Sequence, residues 1–226
     1  MKMYIKLELK SDAAFGSGEG VAGLVDEEVE HDHETGLPFL RGRILKGLLV
    51  EECANILYAL EGQNIKSVGE LKEAAEFLFG CPGSTLDEGA HMHVGQALLP
   101  EELRYAVERH VKRGELTPHE VLESLTAIRR QTSIDEKTGA PRKGSLRSMR
   151  VVLCDISFTS PLSFDSIPGR EAKALLAACV LSLRRAGLGR NRGLGRLRAF
   201  LLDEKKKDVT KENYQIFSQM VKGEAV

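Results

Sequence analysis

Residues 2–10, Lys2-Met3-Tyr4-Ile5-Lys6-Leu7-Glu8-Leu9-Lys10, alternate without a break, with Met3, Ile5, Leu7 and Leu9 set against Lys2, Lys6, Glu8 and Lys10. A period of two predicts a strand with one buried face. The pattern then stops. Residues 13 to 41 form a Gly-rich, acidic stretch too long for a simple connection, which marks a functional or disordered loop. Leu45, Leu48, Leu49, Cys53, Ile56, Leu57 and Leu60 recur at helical spacing, predicting a helix from about Arg43 to Leu60 that ends before Gly62. A second helix is expected over Val68 to Phe79, stopping at Gly80, Pro82 and Gly83. His93 to Leu99 reads as a short strand, and Glu101 to Lys112 and Pro118 to Ser124 as helical insertions. Ala127 to Ile134 and Met149 to Thr159 read as the two arms of a long basic hairpin whose polar tip is Asp135 to Gly144. Arg170 to Ala186 is expected as a helix, Gly187 to Gly195 as a Gly-rich loop, Arg196 to Leu202 as the final strand and about 211–222 as a short terminal helix. Strand, helix, strand, hairpin strand, helix, strand is the order of an α+β, ferredoxin-like βαββαβ sheet backed by helices, the architecture of RNA-recognition modules.

The composition fits that reading. A chain of 226 residues with 42% hydrophobic and 29% charged residues can bury one sizeable core, which excludes a wholly disordered or fibrous protein. The longest apolar candidate, Ala172 to Leu183, contains Lys173 and falls short of a membrane span, and the first residues lack the apolar run of a signal peptide. A cytoplasmic protein with no membrane partner is expected. Cys53, Cys81, Cys154 and Cys179 make no C-x-x-C pair, so reduced, mostly buried thiols are expected.

A net charge of −1 hides strong segregation. Gly16 to Gly36 holds seven acids and no Lys or Arg. Thr126 to Arg150 holds seven basic residues against Asp135 and Glu136, and Arg184 to Arg198 holds six arginines and no acid. Two basic segments in a nearly neutral chain point to a polyanion-binding surface. The absence of Trp and an aromatic content of 5% argue against a generic base-stacking RNA module. Because the acidic loop and basic hairpin look like separate surfaces, copies meeting head-to-tail along one polyanion are expected.

The stretch from Gly23 to Gly47, Gly-Leu-Val-Asp-Glu-Glu-Val-Glu-His-Asp-His-Glu-Thr-Gly-Leu-Pro-Phe-Leu-Arg-Gly-Arg-Ile-Leu-Lys-Gly, resembles the loop and helix start of the RAMP proteins of CRISPR systems. Within them it is similar to the backbone subunits of type III effector complexes, where a loop acid precedes Asp-x-x-Thr-Gly-x-Pro and Gly-Ser-Ser-Leu-Lys-Gly opens a helix. Leu78-Phe79-Gly80 with Val94 to Leu99, Ile128 to Gly139 with Gly144 to Leu146, and Asn191-Arg-Gly-Leu-Gly195 agree in the same order, over about residues 1 to 202. Arg43 and Ile44 stand where the family has two serines, and His31 where it often has Arg. The resemblance implies a single RAMP domain over 1–226, with a core of about 1–60, 93–99 and 150–202, a thumb-like hairpin of about 126–158 and a C-terminal helix. It also implies a role in antiviral defence, with CRISPR guide RNA, single-stranded target RNA and other effector subunits, RAMP copies among them, as partners.

Each candidate site has two readings. Arg41, Arg43 and Lys46 at a helix N-terminus suit a phosphate, or simply solvate an exposed turn; the resemblance implies guide-RNA contact. The Gly187–Gly195 loop reads as a helix cap and tight turn, or as an RNA contact through Arg190 and Arg192, which is what the resemblance implies. It is no dinucleotide fingerprint, because a helix precedes it. Thr132, Ile134, Arg142 and Lys143 on the hairpin would contact nucleic acid if it acts as the family's thumb. By composition Asp26 is one acid among seven. By resemblance it is the aspartate that cuts target RNA with Mg²⁺ or Mn²⁺, with Glu27, Glu28 and Asp32 as fallbacks. His31 with His33, and His91 with His93, share an i, i+2 spacing too common to specify a metal. The alternatives are a backbone subunit that does not cut, and a metal-independent guide-processing RAMP endonuclease using a His.

Overall fold

A computed structural model describes residues 1–63, 65, 67–81 and 89–223; Pro82 and Gly83, expected to stop the second helix, lie outside them. Four strands, β1 (Lys2–Leu9), β2 (Met92–Val94), β5 (Ser157–Phe164) and β6 (Leu197–Leu202), make one antiparallel sheet in the order β2-β5-β1-β6. The strands that follow each other across α1 (Gly42–Glu61) and α5 (Arg170–Ser182) are thus separated by a third strand between them, the split-βαβ arrangement of the ferredoxin-like fold. The α+β, ferredoxin-like core expected from the sequence is the one the chain adopts.

The alternation in β1 explains why the helices lie on one side. Met3, Ile5, Leu7 and Leu9 are at most 2% exposed, and each such side chain contributes about 1.5–3 kcal/mol of burial. Above them α5, apolar almost all round, packs against α1, α2 (Val68–Phe79), α6 (Thr210–Lys222) and β6. Between β2 and β5 the chain makes an excursion through α3 (Glu101–Lys112), α4 (Pro118–Leu125) and a separate two-stranded sheet, β3 (Thr126–Gln131) with β4 (Arg147–Val152). Among the described residues no helix is long and apolar enough to cross a membrane.

Three expectations are corrected. Met149 to Thr159 is not one hairpin arm: β4 ends at Val152 and β5 begins at Ser157 in the other sheet, with a turn in which Asp155 adopts φ 64°. His93 to Leu99 is strand only as far as Val94; beyond it single bridges pair Ala97 with Leu40 and Leu98 with Thr159. The helix expected to reach Ala186 stops at Ser182 because Leu183 turns extended, and Arg185 then bridges Arg196.

Candidate nucleic-acid interface

The loop after β1 is irregular but fastened. Phe15, Val25, Val29, Leu37 and Leu40 are buried, Phe15 edge-on to Phe158 at 5.6 Å. Single bridges tie Ala13 to Val152 and Glu27 to Met149. Glu28 and Arg150, 9% and 4% exposed at their side chains, form a buried ion pair at 2.8 Å, and Arg150 also donates to Thr126 Oγ1 at 3.2 Å. One acid of the loop and one base of the hairpin are therefore matched within the chain. The two segments are thus in contact at Glu28 and Arg150 and are not wholly separate surfaces.

Asp26 is exposed at the edge of this contact. Its Oδ2 accepts from the Ser148 backbone N–H at 2.6 Å and from Ser148 Oγ at 3.1 Å, while its own N–H donates to the Ser148 carbonyl at 2.9 Å. The Ser148 backbone N–H foremost, then the Ser148 hydroxyl, hold the Asp26 carboxyl below the usual aspartate range, with Arg147 adding to the effect. Asp26 and Glu27 line a groove of about 1390 Å³ whose other wall is the hairpin, with Thr132, Arg142, Lys143, Leu146 and Arg147, and whose end is closed by Leu188 and Arg192 of the Gly-rich loop. Three segments far apart in sequence thus converge on one concavity. Among the described residues the ion pairs of this region use Arg129, Arg150 and Arg190, leaving Arg142, Lys143, Arg147 and Arg192 unpaired. Thr132 hydrogen-bonds Ser145 Oγ at 2.8 Å, and Ile134 stands exposed toward the hairpin tip.

The RAMP superfamily model matches residues 6–198. The chain belongs to the RAMP superfamily. Solved structures of similar fold include two from type III-B Cmr-beta complexes. One is a chain of the "Type III-B Cmr-beta bound to cognate target RNA", with TM-score 0.61, 13% identity, and 94% of this chain and 98% of that one covered. The other is a chain of the Type III-B Cmr-beta apo state, with TM-score 0.57, 14% identity, and 90% and 98% covered. No curated protein matches by sequence.

In this RAMP chain the other candidates fall elsewhere or are already engaged. Arg190 makes a two-pronged pair with Glu51 of α1 at 3.0 and 3.1 Å, so of the two loop arginines it is Arg192 that faces the groove. Arg41 is tied to Glu30, its Nη2 donating to Oε1 at 2.7 Å with Nε 2.7 Å from Oε2, which leaves Arg43 exposed and Lys46 half-buried at the start of α1. Burial pushes the Lys46 ammonium below its usual range. None of these three lines the groove. Gly42 lets the helix start sit directly on the β2 backbone, because a Cβ there would lie 2.1 Å from the Val94 carbonyl oxygen.

The fallback acids have structural work. Glu28 is the buried partner of Arg150, and Asp32 Oδ1 accepts from the N–H groups of Glu34 and Thr35 at 3.1 and 2.8 Å, closing a turn. His31 packs edge-on to His33, His93 pairs with Asp165 at 2.8 Å, and His91 stacks on Phe77. Among the described residues no three His, Cys, Asp or Glu side chains gather as a metal site. Mg²⁺, however, takes one or two carboxylates and completes its shell with water and phosphate oxygens. Asp26 and Glu27 on the groove wall fit that limited demand.

Sequence reasoning missed Leu146 and Arg147 of the groove wall, and two residues that hold the site together. Ser148 holds Asp26, and Asp12 joins three segments: it accepts from Arg129 Nε at 3.0 Å and from Cys154 N–H at 3.1 Å, while its carbonyl accepts from Gly195 N–H at 2.7 Å. A polar residue directly after the strand pattern, at the mouth of the loop, was the available signal.

Proposed function

We propose that this RAMP protein is a guide-RNA-binding backbone subunit of a type III CRISPR effector, and that Asp26 takes part in cutting target RNA paired to the guide. The observation that carries the reading is the groove, in which the loop acid, the basic hairpin and the Gly-rich loop meet around four unpaired cations. The likeness to a chain from a complex bound to cognate target RNA supports it. Arg142, Lys143, Arg147 and Arg192 hold RNA by its phosphates, so recognition follows backbone and shape, with sequence left to base pairing. Leu146, 66% exposed on the groove wall, offers an apolar edge against which a base can rest.

The Ser148 contacts keep the Asp26 carboxylate charged near neutrality, as an aspartate ordinarily is. A carboxylate held below the usual aspartate range suits holding a cation or setting the local field better than taking a proton near neutrality. A divalent ion held by Asp26, with Glu27 beside it, would supply charge stabilisation to attack by the neighbouring RNA 2′-hydroxyl. The chain's own part is to fix the Asp26 carboxylate by its Oδ2 through Ser148 and to clamp the RNA on either side.

The test uses the assembled effector with guide-complementary RNA and Mg²⁺ or Mn²⁺, comparing wild type with Asp26→Asn, Asp32→Asn and His31→Ala. Asp26→Asn should bind RNA normally and lose roughly 10²–10³-fold in cutting, the scale of losing one group that stabilises transition-state charge. Products should end in 2′,3′-cyclic phosphate and 5′-hydroxyl. Full cutting by Asp26→Asn refutes the assignment. One observation favours the non-cutting alternative, since Oδ2 of Asp26 is occupied by Ser148; no cutting by wild type would select it.

A further inference from the structure

The Gly187–Gly195 loop reaches the groove through Leu188 and Arg192, and at its base lies a second concavity of about 660 Å³. Lys10, Arg184, Arg185, Arg196 and Arg198 line it together with the half-buried ring of Phe200, and no acid does. Backbone bonds hold these cations together against their repulsion. Lys10 N–H donates to the Arg196 carbonyl at 2.7 Å, Leu197 N–H to Arg184 at 2.9 Å, and Ala186 N–H to Gly195 at 2.9 Å. Two of the five have partners: Lys10 has Glu8 at 3.2 Å, and Arg185 donates to the Arg190 carbonyl at 3.0 Å. Arg184, Arg196 and Arg198 enter no ion pair among the described residues. Like charges assembled by rigid backbone in a cleft that no acid lines, with Glu8 beside Lys10 and Glu52 near Arg184 as the neighbouring acids, are the footprint of a polyanion.

We propose that this cleft is a second RNA-phosphate site, separate from the groove, which takes consecutive phosphates of a single strand that continues past the Gly-rich loop. Taking RNA as the polyanion rests on the function proposed above. Leu188 and Arg192 of the loop line the groove while Arg184, Arg185, Arg196 and Arg198 on its two flanks line the cleft, so a strand that follows the loop would engage both. Phe200 beside Arg198 provides an aromatic surface of the kind on which a base stacks in single-strand binding.

The test measures binding of fluorescein-labelled oligouridylates to the full-length chain, one of about 6 nucleotides that spans a single site and one of about 15 that spans two. Cleft variant Arg184→Gln with Arg198→Gln is compared with groove variant Arg142→Gln with Arg192→Gln. The cleft variant should lose at least about tenfold in affinity for the long probe, since linked sites multiply affinity, and at most about twofold for the short one. Its plot of log affinity against log salt should flatten by about 1.4, two single-strand phosphate contacts. Arg184→Lys with Arg198→Lys should recover most of the loss, which separates charge from misfolding. Unchanged affinity and slope with the long probe overturn the proposal. If only the groove variant loses binding, the cleft is refuted and the groove stands; if only the cleft variant does, the cleft stands and the groove reading falls. A cleft variant that binds RNA normally but no longer self-associates in sedimentation assigns the cleft to a protein contact and overturns the RNA site.

Discussion

Glu28→Gln is the sharpest test of how the acidic loop is held. The substitution keeps size and shape, removes the negative charge, and strands the Arg150 guanidinium in a site where its side chain is 4% exposed. Arg150 then keeps Thr126 Oγ1 as partner, but that hydroxyl is itself donating to the Leu122 carbonyl at 2.6 Å and carries no charge. Removing one member of a buried ion pair costs about 3–5 kcal/mol, because the survivor stays buried and uncompensated. For a chain of this size about 3 kcal/mol lowers Tm by about 6–12 °C. Replacing both partners, Glu28→Leu with Arg150→Met, should recover most of that, since two apolar side chains leave no charge behind. The assay is a double-mutant cycle by urea unfolding, with hydrogen exchange at the Ser148 amide as a local readout, because that N–H is bonded to the loop that Glu28 anchors. A Glu28→Gln variant within about 0.5 kcal/mol of wild type, or a double variant no more stable than the sum of the singles, refutes a buried, coupled pair.

Three further outcomes follow. The Asp26 carboxyl is depressed on folding, so its contribution is complete above the unfolded value, about 3.9, and is lost as pH falls through the lower folded one; NMR titration of the Ser148 amide should be flat from about pH 7 to 5 and move only in stronger acid, and a midpoint near neutrality would refute the contact. Cys81 and Cys154 are exposed while Cys53 and Cys179 are buried, with the Cys179 thiol pushed well above its usual range by its contact with Cys53 and by burial; native alkylation should modify the first two alone, and labelling of Cys179 would refute the packing of α5 on α1. Gly195→Ala should destabilise by several kcal/mol, since φ is 70° and the new Cβ would meet the Ala186 carbonyl oxygen at 1.9 Å, whereas Gly193→Ala, with φ 90° and open space, should cost about 1 kcal/mol; equal losses in thermal unfolding would refute the close approach.

The helices and β1 were legible because their burial is one-sided, and an apolar period reports such a face directly. The split between β4 and β5 was not. Val151, Val152 and Phe158 are all buried, so hydropathy runs on through a turn made without glycine, where Asp155 takes the left-handed conformation itself. The loop after β1 read as irregular, and it is; what fixes it is bonding to residues over 100 positions away, such as Ser148, which no local pattern encodes. The same reason separates Arg190 from Arg192. They are identical in chemistry and two apart in sequence, and the choice between them is made by Glu51, 139 positions earlier. Asp26 was reached by resemblance alone, since nothing in its neighbourhood distinguishes it from six other acids.

The segregated charge acquires a physical meaning once partners are assigned. Glu28 takes Arg150 and Glu30 takes Arg41, while Asp26 accepts from the Ser148 N–H, so among the described residues two of the loop's seven acids are matched by cations, at the base of the hairpin and at the start of α1. Of the described residues, the cations that stay unpaired include Arg142, Lys143, Arg147 and Arg192 around the groove, and Arg184, Arg196 and Arg198 in the second cleft. At physiological salt, charges more than about 8 Å apart barely feel each other, so the field an RNA phosphate meets is that of the groove, and the chain's net charge of −1 is irrelevant to it. This separates local from global charge by experiment. Glu73→Gln with Glu76→Gln, on the exposed face of α2 and outside the groove lining, makes the chain more positive and should leave RNA affinity within about twofold, because screened charges do not contribute. Arg142→Gln with Arg192→Gln changes net charge by the same amount in the other direction, yet should weaken binding steeply and flatten its salt dependence by about 1.4. Equal and opposite effects from the two variants would mean that RNA senses the average charge, and would remove the groove as a site.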